Sequence, residues 1–127
     1  MDFNKLYFQK GGLSFDAVVT YSSLEHSGLG RYGDSLNPWG DLMTMARAWC
    51  VTKPKGRALV AVPTGFDAIY FNAHRLYGPR QFAHLFANWE VVHTDAKMFK
   101  DGPNTKAKDK PCLPSYCYEP IHILEKP

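Results

Sequence analysis

Glu25 and His26 stand side by side, and Gly28-Leu29-Gly30-Arg31-Tyr32-Gly33 follows two residues later. A carboxylate next to an imidazole can orient a general base, so His26 is the candidate base and Glu25 its orienting partner. The alternative is that both only hold a loop through hydrogen bonds to backbone N–H groups. Arg31, Tyr32 and Asp34 lie in the same stretch, and a guanidinium with a phenol can clamp a carboxylate, a phosphate or a sugar. Arg31 and Asp34 could equally pair with each other and close the loop. Asn72, His74 and Arg75 form a polar trio between Phe71 and Tyr77. They return to the same rim, either toward a ligand or to lock their segment against the Glu25 loop.

The three glycines spell G-x-G-x-x-G, the dinucleotide fingerprint, but the context does not suit it. In that fold the first glycine follows the strand closely and the third lies in the first turn of a helix. Here eight residues separate Val19 from Gly28, and Pro38 argues against a helix running on from Gly30. A polar, flexible loop with exposed N–H groups is the better reading.

Metal chemistry is not expected. Cys112 and Cys117 lack the close spacing of a zinc knuckle, His122 falls on an expected strand, and His84 sits among Phe82, Leu85 and Phe86 on a helix's buried edge. The 127 residues, 45% apolar and 21% charged, fit one soluble domain spanning 1–127. A net charge of +3 is too small to argue for nucleic acid, and much of it lies in Lys97 to Lys110, which reads as a solvated loop. Three cysteines and no long apolar run imply a reduced, cytoplasmic setting without a membrane span. Leu6-Tyr7-Phe8-Gln9 resembles part of a protease-cleavage tag, but Lys5 and Lys10 spoil the match.

The elements that must position these residues follow from periodicity. Phe15 to Thr20 suits a buried strand. From Asp41, Leu42, Met45, Ala46 and Trp49 recur on one helical face, with Asn37-Pro38 or Asp41 as the start signal. Lys53-Pro54-Lys55-Gly56 ends that helix, its lysines facing the negative end of the dipole. Arg57 to Pro63 is a second strand, parallel to the first by a right-handed crossover. Pro79 to Asn88 reads as a helix, Trp89 to Thr94 as a strand, and Glu119 to Glu125 as a final strand antiparallel to it. The expectation is an α/β domain, β-α-β-α-β-β, with a mostly parallel sheet.

In this order "FDAVVTYSSLEH", "KPKG", "RALVAVP" and "HRLYGPRQFAHLFANWEVV" resemble the C-terminal half of a class I S-adenosylmethionine-dependent methyltransferase, a partial Rossmann-like sheet. "EHSGLGRYGD", "NPWGD" and "FNAHRLYG" more narrowly resemble the domain of unknown function family two hundred and sixty-eight, over almost the whole chain from about Leu6. Lys55 stands where the superfamily often has glycine. The resemblance implies S-adenosylmethionine as cofactor, its reactive end lined by Thr20, Tyr21, Ser22 and Ser23, and methyl transfer to an unknown small-molecule acceptor. The superfamily's glycine-rich loop and acidic ribose ligand would precede the matched region, and Met1 to Gly12 has no room for them. The first strand would then be an exposed apolar edge open to self-association. A non-catalytic binding module derived from the same fold is the alternative.

Overall fold

A computed structural model describes residues 14–95 and 118–127. The Lys97 to Lys110 loop, Cys112, Cys117 and the Leu6 to Gln9 segment lie outside them. The elements are β1 (Phe15–Tyr21), a 3-10 turn (Leu24–His26), α1 (Gly40–Val51), β2 (Thr52–Ala61), β3 (Ala68–Tyr70), β4 (His74–Leu76), α2 (Pro79–Leu85), β5 (Glu90–Thr94) and β6 (Ile121–Glu125).

Four strands form one sheet in the order β1-β2-β6-β5. β1 and β2 are parallel, as a strand-helix-strand crossover requires. β6 is antiparallel to both β2 and β5. The expected mostly parallel sheet is therefore corrected: two of the three ladders are antiparallel, because the final strand inserts between β2 and β5 instead of adding outside β5. β3 and β4 pair as a separate short hairpin. This hairpin carries Asn72, His74 and Arg75, in a segment where no strand is expected from the sequence.

Alternation along the strands separates the two faces of the sheet. Val18, Ala58, Val60, His122 and Leu124 are buried beneath Met45, Ala48 and Val51 of α1 and Phe82 and Leu85 of α2. On the other face Val19 is 67% exposed and Tyr21 68%. β1 has one strand neighbour, β2, among the described residues, and none of these pairs its outer edge.

The buried side of α1 runs through Asp41, Met45, Ala48 and Val51; of the expected stripe Met45 is buried, Leu42 and Trp49 pack partly buried against the core, and Ala46 is exposed. Asp41 is drawn inward by hydrogen bonding, which rotates the face. The Lys53-Pro54-Lys55-Gly56 turn is absorbed into β2 as an irregularity between the Phe15–Thr52 and Ala17–Arg57 pairs. The cation at the end of α1 comes from afar: Lys126 Nζ donates to the carbonyls of Trp49 and Thr52 at 2.8 Å and lies 3.8 Å over the Trp49 ring. α2 is three residues shorter than expected, with Asn88 in a left-handed conformation, φ 69°, ahead of β5. His84 is exposed on α2, not on its buried edge.

His122 is fully buried between Phe82 and Phe86, with ring centroids 4.8 and 5.1 Å away, and its Nδ1 lies 2.9 Å from Thr94 Oγ1. Burial pushes the imidazole down to about 4. The unfolded chain then takes up a proton at higher pH than the folded one, so His122 supports the fold fully only above about 6.5. Urea denaturation is expected to show stability falling between about pH 6.5 and 4, by up to roughly 3 kcal/mol from this residue. His122→Leu should flatten that slope; an unchanged slope would assign the loss to another group.

Candidate functional site

The rim begins where β1 ends. Ser22 takes a left-handed backbone, φ 47°, while its N–H still bonds to Ala61 O at 3.0 Å. This turn sends Leu24 and Glu25 into the interior, where they are 2% and 1% exposed. The chain then loops back through the glycine stretch to the start of α1.

Arg75 holds that loop from below. Its guanidinium, buried to 4% exposure, donates through Nη1 to the carbonyls of Glu25 and Ser27 and through Nη2 to those of Asn37 and Pro38. Its Nε lies 3.6 Å from Asp41 Oδ1, and Tyr77 donates to Asp41 Oδ2 at 2.8 Å. Burial of Tyr77, with the adjoining Asp41 carboxylate acting the same way, raises the phenol's pKa far above its usual value, so Tyr77 remains a neutral donor. β4 thus positions one planar cation that both ends of the loop require.

Gly28, Gly30 and Gly33 all have positive φ, 75–78°. They turn the chain, and Gly28 also permits close approach: a Cβ there would lie 2.2 Å from Asn37 O. Asn37 N–H bonds to Gly28 O at 2.8 Å, and Asp34 Oδ2 accepts from Gly28 N–H at 2.6 Å. At Gly33 the space is open, so only its dihedral angle needs glycine.

The structure brings Glu25 and His26 together and orients both. His26 Nδ1 faces Ala73 O at 2.5 Å, and because a carbonyl only accepts, Nδ1 carries the hydrogen. Nε2 then faces Glu25 Oε1 at 3.4 Å. Burial raises the pKa of Glu25, opposed by backbone and Ser22 hydrogen bonds and by His26. The His26 ring meets Tyr32 edge-on at 5.5 Å and His74 at 6.3 Å, and Tyr70 lies 5.1 Å from His74. Burial lowers the pKa of His74, with the nearby His26 and Arg31 acting the same way. Both ring nitrogens of His26 thus face protein oxygens.

The remaining expected residues sit at different depths. Ser22, Ser23, His26, Ser27, Tyr32 and Asp34 line a polar cavity of about 320 Å³. Arg31 lies over the Tyr32 ring, its guanidinium carbon 5.6 Å from the centroid, while Asp34 is occupied by the Gly28 amide. Asn72 is exposed at the tip of the β3–β4 hairpin, φ 56°. Arg75 lies beneath the loop and outside this cavity. A second cavity of about 510 Å³ runs along β1, lined by Phe15, Ala17 to Tyr21 and Ser23. Sequence reasoning missed Glu119, whose Oε1 lies 3.0 Å from Ser22 Oγ across 97 positions, and underrated Asp41 and Tyr77 as the partners that anchor the loop. No local spacing signals such pairings.

The family model described as "Caenorhabditis protein of unknown function, DUF268" matches residues 1–110. The chain belongs to this family. Among solved structures it is similar to 1,6-didemethyltoxoflavin-N1-methyltransferase of Burkholderia thailandensis, with 18% identity and a TM-score of 0.61 over 95% of this chain. That structure carries bound 1,6-didemethyltoxoflavin and S-adenosylhomocysteine, and the alignment spans 48% of its length. No curated protein matches. The DUF268 chain therefore has a methyltransferase-like α/β fold. Among the described residues no group of three or more histidine, cysteine or acidic side chains is arranged to hold a metal ion, and no helix is long and apolar enough to cross a membrane.

The reactive end of S-adenosylmethionine is a sulfonium cation carrying carbon substituents, and the β1-edge cavity offers it the Tyr21 ring and the hydroxyls of Thr20 and Ser23 beside Val18 and Val19. The same lining contains no carboxylate for ribose hydroxyls. These residues of the DUF268 chain fit one end of the group.

Two substitutions test how the loop is held. Arg75→Met leaves Asp41 buried without its cation and four carbonyls without their donor, and should cost about 3–5 kcal/mol in urea denaturation. Gly28→Ala should destabilise the chain by well over the ~1 kcal/mol expected of Gly33→Ala, because only Gly28 faces backbone at contact distance. Equal losses at the two glycines would show that the close approach of Gly28 to Asn37 carries no weight.

Proposed function

We propose that this chain supplies the acceptor side of S-adenosylmethionine-dependent methyl transfer to a small molecule. The observation that carries the reading is that two cavities at the carboxyl end of β1 share Ser23: the rim cavity and the β1-edge cavity. Ligands of open α/β sheets sit beyond the carboxyl ends of strands, and methyl transfer needs donor and acceptor in line across one short gap. The methyltransferase-like fold supports the same assignment.

S-adenosylmethionine, when bound, supplies the electrophilic methyl group. Thr20, Tyr21, Ser22 and Ser23 line its reactive end. Tyr32 and Asp34 shape the acceptor cavity, Arg31 offers a cation at its mouth, and Asn72 and His74 approach from the hairpin. Arg75 acts through the loop it holds. His26 lines the same cavity with Glu25 behind it, at the place where an O–H or N–H acceptor must lose its proton. Among the described residues the β1-edge lining has no carboxylate for the ribose, so that contact would have to come from elsewhere.

A second reading, a non-catalytic interaction module, is favoured by the β1 edge, which no other described strand pairs, with Val19 and Tyr21 exposed beside it. Titration calorimetry with S-adenosylhomocysteine at millimolar concentration separates the two. Weak binding that Tyr21→Ala abolishes is expected; no heat from the intact chain ends the enzyme reading for this polypeptide. Light scattering tests this edge independently: self-association at high concentration, lost in Val19→Lys, is expected, and a strictly monomeric species throughout counts against it.

A further inference from the structure

Two carboxyl groups converge on the hydroxyl of Ser22. Its Oγ lies 3.0 Å from Glu25 Oε1 and 3.0 Å from Glu119 Oε1. A hydroxyl has one hydrogen, so it donates to one of these oxygens and turns a lone pair toward the other. With both carboxyls ionised, one contact would set acceptor against acceptor. The pair closes when one carboxyl carries a proton and donates it to Oγ.

The surroundings choose which one. Glu25 is almost completely buried, and its second oxygen, Oε2, has no hydrogen-bond partner among the described residues. An ionised oxygen in that position would be costly, whereas the carbonyl oxygen of a neutral acid is tolerated far better. Glu119 is half-buried and its bond to Ser22 is open to solvent. The charged and titratable neighbours do not reverse this. From β4, Arg75 spends its contacts on the Glu25 main-chain carbonyl, other loop carbonyls and Asp41, which α1 contributes; His74 is held neutral by burial. Tyr77 is a neutral donor to Asp41. His26 Nε2 lies 3.4 Å from Glu25 Oε1, while its Nδ1 is engaged by Ala73 O; its pull on Glu25 is smaller than the effect of burial.

We propose that Glu25, Ser22 and Glu119 form a hydroxyl-bridged carboxyl pair that holds one shared proton and is the proton-handling unit of the rim cavity. Glu25 is the neutral acid and donates to Ser22 Oγ, which donates in turn to ionised Glu119. Ser22 also lines the cavity, so its hydroxyl connects a bound ligand with Glu119. A ligand O–H or N–H bond breaks as its proton passes to Ser22 Oγ; the original Oγ–H bond breaks as that proton passes to Glu119 Oε1. Glu119 then releases it to water, and Glu25 keeps its own throughout. This use of the pair rests on the acceptor-side reading of the rim, but the shared proton does not.

The test is a carboxyl carbon NMR titration of the full chain with labelled glutamate and no ligand, with circular dichroism as the check on folding. One glutamate should titrate above the ordinary carboxylate range, and Glu25→Gln should remove that signal. If this variant does not fold, the signal is assigned through its proximity to the His26 ring. Glu119→Gln should move the Glu25 midpoint downward. In a Ser22→Gly background, where glycine accepts the φ of 47°, that downward movement should shrink. Glu25 ionising in the ordinary range, or holding the same midpoint in Glu119→Gln, overturns the proposal. Failure of cofactor binding in calorimetry leaves these curves untouched, so the two readings fail separately.

Discussion

A buried guanidinium cannot be left with unsatisfied hydrogens, and Arg75 meets that demand by gathering carbonyls from both ends of one loop and a carboxylate from α1. The path of the chain between β1 and α1 follows from this requirement. Main-chain oxygens must turn inward at Glu25, Ser27, Asn37 and Pro38, and the left-handed glycines between them let the chain reverse often enough to do so. The short β3–β4 hairpin then has a clear role, since it delivers Arg75 to the underside and Ala73 O to His26.

One consequence is a division between depth and rim. Arg75, Asp41 and Tyr77 form a saturated network that leaves the floor rigid, whereas Ser22, Ser23, Ser27 and Tyr32 keep hydroxyls at the cavity. Glu25 and His26 lie at the boundary. Their orientation is set from outside the pair, by Ala73 O on one nitrogen and by the Ser22 hydroxyl on the carboxyl. A site arranged in this way can exchange protons with a ligand without moving its frame.

Periodicity made most of the elements legible, because β-branched runs and apolar spacing are local properties: β1, α1, the core of β2, α2, β5 and β6 all lie where the pattern implies. Strand order was harder, since nothing in "EPIHILE" tells whether it adds outside β5 or slips between β5 and β2. The hairpin escaped notice because three-residue strands carry almost no periodicity. At the rim, "EH" and "HRLYG" mark two segments that the fold brings together. The split between a buried anchor, Arg75, and an exposed tip, Asn72, three residues apart, depends on a turn that residue types do not reveal. Glu119 could not be found from spacing at all, as its bond to Ser22 exists only once β6 is in place.

The insertion of β6 between β2 and β5 also orders the assembly of the sheet. β1 and β2 can pair as soon as α1 has formed, because their crossover is local. β5 has no ladder to join until β6, which begins 27 positions after Thr94, returns to lie between them. The ladder that closes the sheet is thus its non-local one, the kind whose loop closure costs most entropy. The same event brings Lys126 to the end of α1 and Glu119 to Ser22. The proton-sharing pair is accordingly complete only in a chain whose sheet has closed.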